Sequence, residues 1–176
     1  MYVRRVVAGV SGSAGGLQAL RYAVEMARCH NAMLVPVHAW LPPGGDMADR
    51  RYPSAQLRSV WTQAAWDRLW RAVALAIGGP PSDVSFSPEI ARGEAGHVLT
   101  EMAAEPGDVL VIGAGRPGAL RRLLACKVAR YCVGHADCPV VVVPPTRLAA
   151  ETHGVRAWVH RHRLHPEDAD LHSADA

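Results

Sequence analysis

From residue 3 to residue 10 the chain reads VRRVVAGV, a β-branched and largely apolar run of the kind that lies in a sheet covered on both faces. It passes into the turn formers of GVSGSAGG. Over 16–30 the apolar positions Leu17, Leu20, Val24 and Ala27 recur every three or four residues, which predicts a helix with one buried face. MLVPVHA at 33–39 predicts a second strand, in which Pro36 lacks a ladder donor and so fits an edge or a bulge. LPPGGDMADRRYP at 41–53 has no period and many turn formers, and predicts a loop longer than most connections in compact domains. A long helix follows over 54–77, with Ser54 as N-cap and Leu57, Trp61, Ala65, Leu69, Val73 and Ile77 in one stripe. Trp66 and Trp70 widen that stripe, either packing the helix onto a sheet or meeting a partner.

GGPPSD at 78–83 ends the helix, and VSFSPEI at 84–90 alternates apolar with polar like an edge strand, a place that suits Pro88. A short helix is predicted over 95–104. VLVIGAG at 109–115 is a wholly apolar strand running into glycines, 120–134 is a fourth helix, and CPVVVVPP at 138–145 is a fifth strand. Strands and helices alternating at these spacings predict a parallel, doubly wound α/β sheet of five strands with right-handed crossovers over residues 1–145. Residues 146–176 form a tail with no strand signal and a weak helical patch at 155–164.

A chain of 176 residues can bury a core without disulfides or metals. Its net charge of +3 comes with no long block of like charge, so a nucleic-acid partner is not expected. The apolar strand start follows directly on Met1, no apolar run reaches the roughly 20 residues of a membrane helix, and the four cysteines form no CxxC pair. These features predict a cytoplasmic protein with reduced thiols and no membrane contact. His153, His160, His162, His165 and His172 crowd the tail, but without an acidic or cysteine partner at fixed spacing they are not read as a metal site.

In such a sheet ligands settle beyond the carboxyl ends of the strands where the order reverses, here between the first and fourth strands. GVSGSAGG, the HAW at 38–40 and IGAGRPG border that crevice. Together with GEAGHVL and the closing run ARYCVGHADCPVVVVP, these segments resemble the universal stress protein family over about 1–145, with the tail outside the resemblance. The resemblance implies an adenine nucleotide α-hydrolase-like fold, a five-stranded parallel sheet in the order 3-2-1-4-5, often dimerised through the last strand. It also implies, in the ATP-binding branch, a motif G-x2-G-x9-G-S/T with an acidic residue closing the first strand.

Carried over position by position, Gly113 matches the first glycine of that motif, while Arg116 stands at the second, Cys126 at the third and Lys127 at the hydroxyl residue. Ser11 takes the acidic position and Ala39 the place where backbone meets adenine. The candidate nucleotide-binding residues are thus Gly9, Ser11, Ala39, Ile112, Gly113, Arg116, Cys126, Lys127 and Val128. Arg116 and Cys126 put atoms where glycine leaves room for a phosphate to approach the backbone. Gly115 and Gly118 remain beside the site, although shifting to their register puts Val128 at the third glycine. Arg116 and Lys127 either make a charge-assisted phosphate site or fill the old pocket.

No catalytic residue is expected: Ser11 and Ser13 lack a GxSxG elbow, and His38 and His97 read as structural residues. Cys126 near a helix N-terminus could be a thiol of lowered pKa. The expectation is a non-enzymatic stress-response protein with a degenerate or retuned nucleotide pocket, dimerised through the last strand, with Pro139 and Val143 at the ends of its pairing edge. The alternative is a regulatory switch that binds ATP or another nucleotide.

Overall fold

The computed structural model describes residues 2–51, 53–114 and 127–145. Its strands are β1 (Arg5–Gly9), β2 (Met33–Trp40), β3 (Glu89–Arg92), β4 (Asp108–Gly113) and β5 (Val140–Val143). They form one sheet in the order β3-β2-β1-β4-β5, every pairing parallel. The helices are α1 (Ala14–His30), α2 (Gly45–Arg51), α3 (Ala55–Ile77), α4 (Ala95–Met102) and α5 (Lys127–His135).

Side-chain alternation along the strands builds two cores. Val6 and Ala8 of β1 and Val109 and Val111 of β4 face Leu20 and Val24 of α1 and Leu69 and Val73 of α3. Val7, Leu110 and Ile112 face Val98 and Leu99 of α4 and Ala129 and Cys132 of α5. Leu20, Leu69 and Leu110 have no exposed surface, and truncation of such a leucine typically costs about 2–5 kcal/mol. At the amino edge of the sheet, Arg5 donates from Nε and Nη2 to the two carboxylate oxygens of Asp108, at 2.9 and 2.7 Å. Asp108 is buried, also accepts from Glu105 N at 3.0 Å, and its hydrogen bond raises the Arg5 pKa above the ordinary arginine value. The pair fastens β1 to β4 at the end away from the predicted crevice.

Four local predictions are corrected. Residues 41–53 contain a helix, α2, preceded by Gly44 and opened by Gly45, both at positive φ (80° and 76°). It has no apolar stripe: Arg92 at the end of β3 bonds Asp46 and Asp49, and Arg58 of α3 bonds Asp49, whose side chain is 1% exposed. The third strand is Glu89–Arg92, later than 84–90, because Pro88 interrupts the ladder and leaves a single bridge, Leu34 with Phe86. Pro36 sits in a central strand, between β1 and β3. Leu34 exchanges bonds with Ser85 and Ser87, so by alternation Pro36 turns its missing donor to the same side, into the gap before pairing resumes at Val37 and Glu89. In α3, Ser54 caps Leu57 N as expected, but only the stripe from Ala65 onward is buried, with Trp61 half-buried and Leu57 48% exposed. The first part of the predicted helix 120–134 and the tail 146–176 with its histidines lie outside the described residues.

Candidate functional site

The crossover from β1 goes to one side of the sheet and that from β4 to the other, so a crevice opens between their carboxyl ends. A cavity of about 230 Å³ occupies it. Gly9, Val10 and Ser11 form one wall and Ile112 and Gly113 the other, with Ala39 on β2 and Val128 on α5 at the sides. Six of the nine predicted residues, Gly9, Ser11, Ala39, Ile112, Gly113 and Val128, are therefore brought together. Lys127 is exposed, one residue before Val128. Arg116 and Cys126, with Gly115 and Gly118, lie outside the described residues.

A side chain at Gly113 would strike backbone and one at Gly9 would force neighbouring side chains to shift, so in both cases the neighbour is the protein itself. A Cβ on Gly9 would lie 2.9 Å from Leu99 Cδ1 and 3.1 Å from Ile112 Cγ2. A Cβ on Gly113 would lie 2.5 Å from the carbonyl carbon of Gly15 and 2.7 Å from Gly16 N. Gly113 thus admits the first turn of α1 against the end of β4. That turn is closed by Ser13, the N-cap, whose Oγ accepts from Gly16 N at 3.1 Å and shares a 2.9 Å hydrogen bond with Ser11 Oγ.

Val10, Ser13 and His38 fall in segments read as bordering the crevice, whereas sequence reasoning missed Val37, Ala95 and Leu99 as lining residues. Val37 could have been found from alternation, since it shares the sheet face of Ala39. Leu99 carries no such signal, being one apolar position of a short helix. His38 turns its side chain to the opposite face by the same alternation, yet still borders the cavity. Its Nδ1 lies 3.1 Å from Val10 O, and because a carbonyl can only accept, Nδ1 carries the hydrogen. Nε2 is buried with no hydrogen-bond partner. With the 2.8 Å bond from Val10 N to Val37 O, the ring ties the chain leaving β1 to the end of β2.

The described lining of the cavity contains no Asp, Glu, Lys or Arg. Backbone, small apolar groups, two hydroxyls and the His38 ring suit the flat face and edge donors of a heterocyclic base better than a charged group. Of the three described cysteines, Cys29 is exposed but does not line the cavity, Cys132 is buried, and burial pushes the Cys138 thiol above its ordinary pKa.

Comparison with known proteins agrees with this geometry. Residues 2–144 match the model of the universal stress protein family. A Thermus aquaticus protein described as a universal stress protein in the QAH/OAS sulfhydrylase 3′ region is 26% identical over 140 residues, 80% of this chain and 98% of its own. Universal stress protein UspA from Lactobacillus plantarum superposes with a TM-score of 0.60 at 21% identity, covering 81% of this chain and 99% of that one. A universal stress protein solved in complex with cAMP superposes with a TM-score of 0.52 at 21% identity, over 83% of this chain and all of its own. No helix among the described residues is long and apolar enough to cross a membrane. With its sheet order, its crevice and a family match that runs from residue 2 to residue 144, the chain belongs to the universal stress protein family.

Proposed function

We propose that the protein is a non-enzymatic, cytoplasmic stress-response protein that works as a dimer through β5 and carries a retuned nucleotide pocket. The observation that carries this reading is the cavity at the carboxyl ends of β1 and β4, which persists although most of the motif side chains have changed. At about 230 Å³ it is smaller than the roughly 300–1,000 Å³ of drug-sized sites, which suits a base and part of a sugar. Phosphates would then lie outside it, beyond the described lining. Such a division favours an adenine nucleotide with few phosphates held mainly through its base, and the cAMP complex of a relative is in keeping with it.

The absence of catalysis rests on the hydroxyls. Ser11 Oγ pairs with Ser13 Oγ rather than with a base, and Ser13 is engaged as a helix cap. The dimer rests on the edge strand: among the described residues Val140–Val143 pairs with β4 on one side only, and pairing with its twin would satisfy the other.

Native mass spectrometry of the protein as purified, with and without added ATP or AMP, tests the proposal. A dimer that takes up one nucleotide per protomer is expected, with Arg116→Gly combined with Lys127→Ser raising ATP affinity about tenfold as the glycine and hydroxyl of the motif return. A dimer that stays empty with millimolar nucleotide contradicts the pocket. A loss of nucleotide in the double variant would instead favour the switch, in which Arg116 and Lys127 are the phosphate ligands.

A further inference from the structure

Two arginines from different elements converge on one carboxylate. Arg58, near the start of α3, donates from Nε to both oxygens of Asp49, at 3.1 and 3.0 Å. Arg92, which ends β3, reaches the same Oδ2 with Nη2 at 2.8 Å. Its Nε and Nη2 also meet Asp46 Oδ1, at 2.9 and 2.6 Å. The Asp49 side chain is 1% exposed, whereas those of Arg58 and Arg92 are 44% and 34% exposed. A carboxylate is thus enclosed between two guanidiniums that solvent still reaches.

The segment that supplies the carboxylate is weakly anchored. Asp49 is the one buried residue among those of α2 whose burial is described, and Met47 is 77% exposed. A helix of 7 residues is not stable by itself. It is entered through Gly44 and Gly45 at positive φ, and a Cβ on Gly45 would meet nothing within 4 Å, so the hinge has open space around it. The arginines are placed differently. Arg58 belongs to a helix of 23 residues whose buried stripe lies in the core, and Arg92 to a strand of the sheet, so their backbones keep their places if α2 leaves.

Two neighbouring guanidiniums without a counter-ion repel each other and favour an anion between them. A phosphate monoester brings nearly two negative charges and three acceptor oxygens in one group, which suffices to accept from both guanidiniums and to replace both carboxylates. Among the described residues Arg58 uses Nε alone, so its Nη donors stay open to a second oxygen.

We propose that Arg58 and Arg92 form a site for a phosphate monoester, which α2 closes with Asp46 and Asp49 as an internal stand-in. Binding exchanges the two carboxylates for the phosphate and releases α2 about Gly44 and Gly45. Neither arginine lines the cavity between β1 and β4, so this site is separate from the one proposed for a base. Because α2 must leave first, the affinity of the parent chain is reduced by the fraction of molecules in which α2 is open.

Amide exchange of 45–51 in the full chain tests this at about pH 7.5, where the ester is a dianion. The probe is glycerol 3-phosphate, which has no base and so leaves the cavity's own reading untouched, against sodium chloride at equal ionic strength. Exchange should rise along a saturating curve with the phosphate and stay nearly constant with chloride. Asp46→Asn combined with Asp49→Asn removes the stand-in, and calorimetry should then find the same probe bound at least about tenfold more tightly than by the parent. Adding Arg92→Ala should abolish that gain. Equal release by chloride would show ordinary screening of ion pairs and overturn the site. Exchange indifferent to both salts, or a double variant that binds the probe no more tightly than the parent, would overturn it as well.

Discussion

Gly113 illustrates how a residue can be recognised correctly for an incomplete reason. A glycine closing an apolar strand was legible as part of a phosphate cradle, but the structure shows its missing side chain occupied by the first turn of α1. Gly113→Ala should therefore destabilise the protein by about 1–3 kcal/mol in urea unfolding, whether or not nucleotide is present, because a Cβ would strike backbone. Unchanged stability would mean that the turn is free to move away. The remaining lining residues divide by how they enter the site. Val37 and Ala39 follow from strand alternation, whereas Leu99 arrives only through the packing of α4 on the sheet, a long-range fact with no local pattern.

At the scale of elements, β1, α1, β4 and the buried part of α3 were legible because burial leaves a period in the sequence. Helix α2 was not. DMADRR has no apolar period, and the helix is held by charge: Asp46 and Asp49 on Arg92, and Asp49 on Arg58. Hydrogen bonds from Arg58 first, and then from Arg92, hold the Asp49 carboxyl below the ordinary carboxylate pKa against the opposing effect of burial. A group lowered in this way contributes in full above its unfolded-state value and loses that contribution as the pH falls through the lowered one. Amide exchange of 45–51, corrected for its intrinsic pH dependence, should thus be constant between pH 5.5 and 7.5 and rise only in acid below the usual carboxylate range. Arg92→Ala should raise it at neutral pH, since one of the two partners that hold Asp49 is gone. An exchange rate indifferent to Arg92 would show that α2 is held by something other than these ion pairs.

For the whole molecule, the alternation of strands and helices was sufficient for a parallel, doubly wound sheet, while the order β3-β2-β1-β4-β5 came with the family resemblance, because alternation alone is compatible with other doubly wound orders. The same topology leaves β5 at an edge. Leu110 N bonds Pro139 O and Ala114 N bonds Val143 O, so the odd positions of β5 face β4 and Val140 and Val142 turn their backbone groups outward. Val142→Pro removes an outward donor without removing a ladder bond to β4. Light scattering should find a dimer for the parent chain and mainly monomer for this variant, with the unfolding midpoint of the monomer little changed. A variant that remains dimeric would place the interface elsewhere.

The central claim is that the cavity between β1 and β4 still receives a nucleotide base. The most direct measurement is an amide NMR titration of the full chain with AMP. With a base in the cavity, Gly9, Ser11, Ala39, Ile112, Gly113 and Val128 shift together with one saturating curve while Arg5 and Asp108 at the opposite edge stay still. Saturation with these six unmoved, or no saturation at millimolar AMP, would contradict it.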